Sequence, residues 1–290
     1  MPSSRKSGDS ALVNQSADFY DALAPMFDVM TDWDARLASE GPFLRDQLAA
    51  AGARRVLDVA CGSGGHVLWL AQQGYQAAGV DASPAMIALA QQRAAALGLD
   101  VVFEVADLTP QPPPLPGEEG NCTPPRVGER PGVGSEFDAV LCLGNSLPHL
   151  LTQADLVLAL RGMTRRLRED GLLILQNLNY DLRWQKQPRW FMAQGGELAG
   201  QPVLVWRFAD YDAPAGRIQF HIALFRQGGR DWGVEVHTTP QRPLFRADLL
   251  AALAEAGFDR AETFGRMALP TEPFAAESSG DLVVVARRAR

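Results

Sequence analysis

Gly62-Ser63-Gly64-Gly65 follows the apolar run Val56-Leu57-Asp58-Val59-Ala60, and Asp81 closes a second such run from Tyr75 to Val80. Glycines have no Cβ, so the backbone can turn tightly and a ligand can approach both the loop and the N-terminus of the helix behind it. A carboxylate at Asp81 can accept hydrogen bonds from both hydroxyls of a ribose. Asp107, after a third run from Val101 to Val105, is placed to meet an adenine edge. As a dinucleotide fingerprint the loop fails, because Val67 stands where the third glycine would fall, and no phosphate-loop lysine follows. Glycine loop, ribose acid and base-side acid together read as a nucleoside site. Tyr20, Trp33, Asn145, His149, Tyr180, Trp206, His221 and His237 are candidate liners of an adjoining substrate pocket. The four histidines and three cysteines show no metal-ligand spacing, so no metal is expected.

These residues need a scaffold that gathers strand ends. The expected strands lie at 55–60, 75–80, 101–105, 137–143 and 172–175, with helices at 67–73, from Ser83 to Leu97, and from Thr152 to Leu167. Strands alternating with helices mean a parallel sheet covered on both faces, and such sheets bind ligands at their carboxyl edge where strand order reverses. Ser83 is the expected cap of one helix, and Thr152 with Asp155 forms a capping box for another. The alternating runs 203–208, 217–225 and 232–237 predict an antiparallel meander within 198–243. A helix over 247–256 and a last strand over 281–286 follow. Residues 1–15, small and polar, are expected to be disordered, and 16–52 to form a helical cap that Pro25 and Pro42 break. Between the third and fourth strands, 110–135 holds thirteen prolines and glycines in 26 residues and reads as a surface insertion.

The run Val56-Leu57-Asp58-Val59-Ala60-Cys61-Gly62-Ser63-Gly64 resembles motif I of the class I S-adenosylmethionine-dependent methyltransferases. Gly79-Val80-Asp81-Ala82-Ser83 with Met86 resembles their ribose motif, and Phe137-Asp138-Ala139-Val140 extends the match over residues 55–176. The resemblance implies an α/β, Rossmann-like doubly wound fold with S-adenosylmethionine as cofactor. It places Asp58, Ala60, Gly62, Gly64, Asp81, Ala82, Met86, Asp107, Leu108 and Leu143 around that cofactor, with Arg36 and Tyr20 closing over it. More narrowly, Cys142-Leu143-Gly144-Asn145-Ser146-Leu147-Pro148-His149-Leu150 and Asn177-Leu178-Asn179-Tyr180-Asp181 are similar to the active-site segments of glycine and sarcosine N-methyltransferases. That similarity implies that Asn145 faces the substrate beside Tyr180; we add His237, at a strand end, as a third candidate catalytic residue. One departure stands out. Where the glycine enzymes carry an arginine that pairs with the substrate carboxylate, this chain has Leu178, and leucine cannot form an arginine–carboxylate fork. Either another arginine, such as Arg207 or Arg242, replaces it, or the acceptor carries no carboxylate.

Composition bounds the remaining choices. The chain has 290 residues, 47% of them hydrophobic, and a formal net charge of −7. It is long enough to bury a full core without staples. The acidic balance disfavours nucleic acid as a partner, and no apolar run approaches a membrane span. Three cysteines cannot form a disulfide framework, and the polar start lacks a signal-peptide core, which together point to the cytoplasm. The expected function is methyl transfer to a small-molecule acceptor, an amine first. The rivals are a nucleic-acid or protein methyltransferase and a non-catalytic cofactor-binding protein. Oligomeric state is not legible.

Overall fold

A computed structural model describes residues 9–107 and 136–290, with side chains from Ser16 onward. Leu108 and the proline-glycine insertion at 110–135 lie outside the described residues. The core is a seven-stranded sheet with the order β10-β11-β5-β4-β1-β2-β3. Its parallel strands are β1 (Arg55–Val59), β2 (Gln76–Asp81), β3 (Val102–Val105), β4 (Phe137–Cys142) and β5 (Leu167–Leu178). β10 (Phe258–Phe264) and β11 (Asp281–Arg288) run antiparallel at one edge. The direction of winding reverses between β1 and β4, and that reversal opens the crevice at their carboxyl ends.

Local chemistry sets the helices. Ser83 Oγ accepts from Met86 N at 3.1 Å to cap α5 (Pro84–Ala96). Thr152 caps α6 (Gln153–Arg166) through Asp155 N at 3.1 Å, while its hydroxyl donates to the Asp155 carboxylate at 2.6 Å. α4 (Gly65–Gln72) starts at Gly64, whose φ of 78° a side chain would strain. Both sheet faces are covered. Leu160, Leu173, Leu175 and Leu249 fill one side, and Phe43, Leu70, Leu141 and Ile174 the other.

Several expectations change. α1 spans Asp9–Leu23, so the helical segment begins before Ser16; residues 1–8 lie outside the described residues. Pro25 does break the cap, sitting in a 3-10 turn before α2 (Phe27–Met30). Pro42 does not: it lies inside α3 (Trp33–Ala50). An internal proline costs a helix about 3 kcal/mol, but Phe43, Leu44 and Leu48 on the same helix are fully buried, and each contributes roughly 1.5–3 kcal/mol. The meander is a four-stranded sheet, β6 (Gln194–Leu198), β7 (Gln201–Asp212), β8 (Arg217–Gly228) and β9 (Asp231–Gln241). β6, β10 and the short helix α7 (Tyr180–Lys186) were not expected; α8 (Arg246–Glu255) was. Phe19, Leu23, Met26 and Met30 of the N-terminal helices pack on Val203, Val205, Ile222 and Leu224 of the meander. Among the described residues, no helix is long and apolar enough to cross a membrane.

Candidate active site

Where winding reverses, β1 and β4 hand over to two tight turns. Ala60, Gly62 and Gly64 follow β1 with φ of 59°, 53° and 78°, and Gly144 and Asn145 follow β4 with φ of 78° and 67°. The turns leave a cavity of about 1360 Å³ between the sheet edge, the N-terminal helices and the meander. Tyr20, Arg36, Asp58, Ala60, Gly62, Asp81, Ala82, Met86, Asp107, Leu143, Asn145 and Tyr180 line it, so most of the expected site residues are brought together.

Its first half is acidic. Asp81 Oδ2 accepts from Gly62 N at 2.8 Å and Oδ1 from Ser83 N at 2.9 Å, which ties the glycine loop to the end of β2. Burial raises the Asp81 carboxyl above the usual carboxylate range. Asp58 is 2% exposed, and its Oδ1 has no hydrogen-bond partner among the described residues. Burial pushes its pKa up to about 8, with Arg36 opposing and the Asp81 and Glu40 charges adding to the rise. Arg36 Nε donates to Glu40 at 3.0 Å, and Glu40 Oε2 lies 2.7 Å from His66 Nε2. Trp33 lies across the start of α4, where a Cβ on Gly65 would sit 2.3 Å from its ring.

The second half is a hydrogen-bonded chain. Asn145 Nδ2 donates to the Tyr180 hydroxyl at 3.0 Å, and Asn145 Oδ1 accepts from Leu178 N at 3.0 Å. The Tyr180 hydroxyl donates to Gln241 Oε1 at 3.2 Å, and Gln241 Nε2 reaches His149 Nε2 at 3.4 Å. Tyr20 Oη lies 3.1 Å from the same nitrogen, while Thr239 Oγ1 lies 3.3 Å from His149 Nδ1. With Nε2 accepting from both neighbours, the network assigns the ring proton to Nδ1. Burial holds His149 down at about 4, so it is neutral at physiological pH; burial also pushes Tyr180 up to about 12.

Two expected site residues do not line the cavity. Gly64 faces the packing behind the loop, where its Cβ would lie 2.8 Å from Phe103, so its role is conformational. His237 sits further along β9, opposite Ile222, with its Nε2 3.7 Å from Glu235; alternation along the strand puts Thr239 and Gln241 on its face, nearer the cavity. Trp206 and His221 fall on the outer face of the meander, where Trp206 stacks on Trp190 and His221 on Phe208. Of the arginines weighed against Leu178, Arg242 is held by Gln153 and Asp248 and does not line the cavity, whereas Arg207 does. Glu40, His66, Arg183 and Phe191 were not foreseen. Glu40 and His66 meet from two separate helices, and only the i, i+4 spacing of Arg36 and Glu40 was a signal.

Residues 56–120 match a family model described as a methyltransferase domain. The chain is 30% identical over 249 residues to a glycine/sarcosine N-methyltransferase of Parasynechococcus marenigrum, covering 86% of this chain and 78% of that protein. The chain belongs to the class I S-adenosylmethionine-dependent methyltransferases. A second glycine/sarcosine N-methyltransferase, from Aphanothece halophytica, is 34% identical over 165 residues, 57% of this chain and 56% of its own length. Among solved structures, an S-adenosylmethionine-dependent methyltransferase from Clostridium acetobutylicum shares the fold with a TM-score of 0.69 at 15% identity, covering 96% of this methyltransferase and 99% of that chain. The residues present fit the cofactor: a buried, unpartnered carboxylate oxygen on Asp58, and turns at Gly62 and Gly144 that leave the loops low over the cavity.

Proposed function

We propose that this methyltransferase moves the methyl group onto the nitrogen of a small-molecule amine, in the cytoplasm and without a nucleic-acid partner. The observation that carries this reading is the joining of two unlike groups in one cavity: the carboxylates Asp58 and Asp81 beside the glycine loop, and the neutral amide, hydroxyl and imidazole chain of Asn145, Tyr180, Gln241 and His149. The cofactor supplies an electrophilic methyl group on a sulfonium. Asp81 holds the ribose hydroxyls, Asp107 the adenine edge, and Asp58 with Arg36 the charged amino-acid end. Tyr20 closes over them.

The chain's own task is then to aim a lone pair and exclude water, and good alignment lowers such a barrier by several kcal/mol. Asn145 is fixed at both ends of its amide, so Tyr180 is fixed too. Neutral His149 adds no charge that would repel an amine or the sulfonium. A phenol or alcohol acceptor needs a base close by, and the tightly hydrogen-bonded His149 is a weak one. The relatives named above act, by their names, on glycine and sarcosine, which also favours nitrogen. The test is a methyl-transfer screen across amines, amino acids and phenols. Turnover confined to amines is expected; turnover of phenols alone, or cofactor binding with no turnover of any acceptor, overturns the reading.

A further inference from the structure

The meander half of the cavity contains a cation without a partner. Arg207 stands on the inner face of β7 in line with Ala209 and Tyr211, and all three line the cavity. Among the described residues its guanidinium has no hydrogen bond and no ion pair. The other arginines there are occupied: Arg183 lies over the Phe191 ring at 4.9 Å, and Arg217 donates to Gly216 O at 3.4 Å. No carboxylate from α7 or the meander lines this half. Burial also lowers the Arg207 pKa from its ordinary value, so its charge is incompletely solvated. A half-buried guanidinium left alone in a cavity wall is costly, and a planar oxyanion is the group that matches its fork of donors.

The same half is large and apolar. Phe191, Ala209, Tyr211, Ile218, Phe220 and Ile222 form its walls. A pocket for one drug-sized ligand occupies about 300–1,000 Å³. At about 1360 Å³ this cavity exceeds that range, so it admits the cofactor and a second molecule of real size. Glycine would leave these walls in contact with water, at a cost proportional to the apolar area.

We infer that the acceptor is an amine that also bears an oxyanion, carboxylate or phosphate, bound by Arg207, on an apolar body much larger than glycine. This rests on the proposed transfer to an amine.

Matched probes test it: 4-(aminomethyl)benzoate against its amide, tyramine phosphate against tyramine, and glycine. Methyl transfer by wild type, Arg207→Gln and Arg207→Lys is followed alongside calorimetric binding of S-adenosylhomocysteine. Wild type should prefer the anionic member of at least one pair by about tenfold or more in kcat/KM, and glycine should be the poorest anionic probe. The pair that responds tells carboxylate from phosphate. Arg207→Gln should abolish the preference, Arg207→Lys should restore part of it, and cofactor affinity should stay within threefold. Equal turnover of both members of both pairs overturns the inference while leaving amine transfer intact, and so does glycine as the best substrate. Loss of S-adenosylhomocysteine binding in Arg207→Gln reassigns the residue to the cofactor. If cofactor binds but no amine is methylated, the proposed function fails and the inference falls with it.

Discussion

Asp81 lines the cavity and accepts from Gly62 N on one carboxylate oxygen and from Ser83 N on the other. Asp81→Asn turns one acceptor into a donor facing a backbone N–H. S-adenosylhomocysteine should then bind more than tenfold more weakly by calorimetry, since a hydrogen bond to a charged group contributes about 1.5–3 kcal/mol. Unchanged affinity would remove Asp81 from the ribose. Leu178 lines the cavity next to Asn145, which accepts from its backbone N–H. If the missing arginine is what makes glycine a poor acceptor, Leu178→Arg should raise kcat/KM for glycine or sarcosine. A wild-type enzyme already efficient with glycine would show that the clamp is not needed. Both positions could be placed from the sequence because each ends an apolar strand; Arg207 was weighed only as one of two substitutes for the arginine absent at position 178, since nothing in its own run shows that it faces the cavity.

At the scale of elements, Gln176 joins three of them. Its Oε1 accepts from Gly144 N at 2.7 Å in the turn after β4, and its Nε2 donates to Asp281 at 3.0 Å at the start of β11. It stands on β5 and is 8% exposed. Gln176→Leu takes the acceptor from the Gly144 N–H and the donor from the half-buried Asp281 carboxylate, and the carboxylate alone puts about 1–3 kcal/mol at stake, so the melting temperature should fall by a few degrees. Asn145 loses its anchored turn, so kcat should fall as well. A variant with normal melting and turnover would show the link to be dispensable. The strands of the parallel sheet could be read from the sequence because buried strands are continuous apolar runs. β10 could not, since Asp259, Arg260 and Glu262 dilute an edge strand with one exposed face. β6 was hidden by Gly195 and Gly196, and α7 by its shortness. Pro42 misled because its cost is local whereas the burial that offsets it comes from β-sheet neighbours far along the chain. The Glu40–His66 pair was hidden for the same reason: nothing in either segment names the other.

For the whole molecule, buried titratable groups set how stability follows pH. The folded state holds the Asp58 proton to about pH 8, whereas the unfolded chain releases it near the ordinary carboxyl value. That contribution is lost as pH rises towards 8. His149 acts oppositely: its folded pKa of about 4 lies below the unfolded value, so its contribution is complete above about 6.5 and fades as pH falls to 4. Between about 6.5 and 8 the Asp58 term stands without the histidine term, and the ligand-free protein should lose at most about 2 kcal/mol. Calorimetric melts should show a lower Tm at pH 8 than at 6.5, and Asp58→Asn should flatten most of that slope; an unchanged slope in the variant would place the titration elsewhere. The N-terminal helices have a consequence in time. Phe19, Leu23, Met26 and Met30 share one buried cluster with Val203 and Val205 of β7 and Ile222 and Leu224 of β8, roughly 200 residues downstream. At about 5–20 residues per second, α1 and α2 wait roughly 10–40 s after synthesis for the surface that covers them. Asp21 of α1 can bond to Ser83 and Ala85 at the start of α5 much sooner, but the apolar stripe that faces the meander must be shielded or kept from wrong partners in the interval.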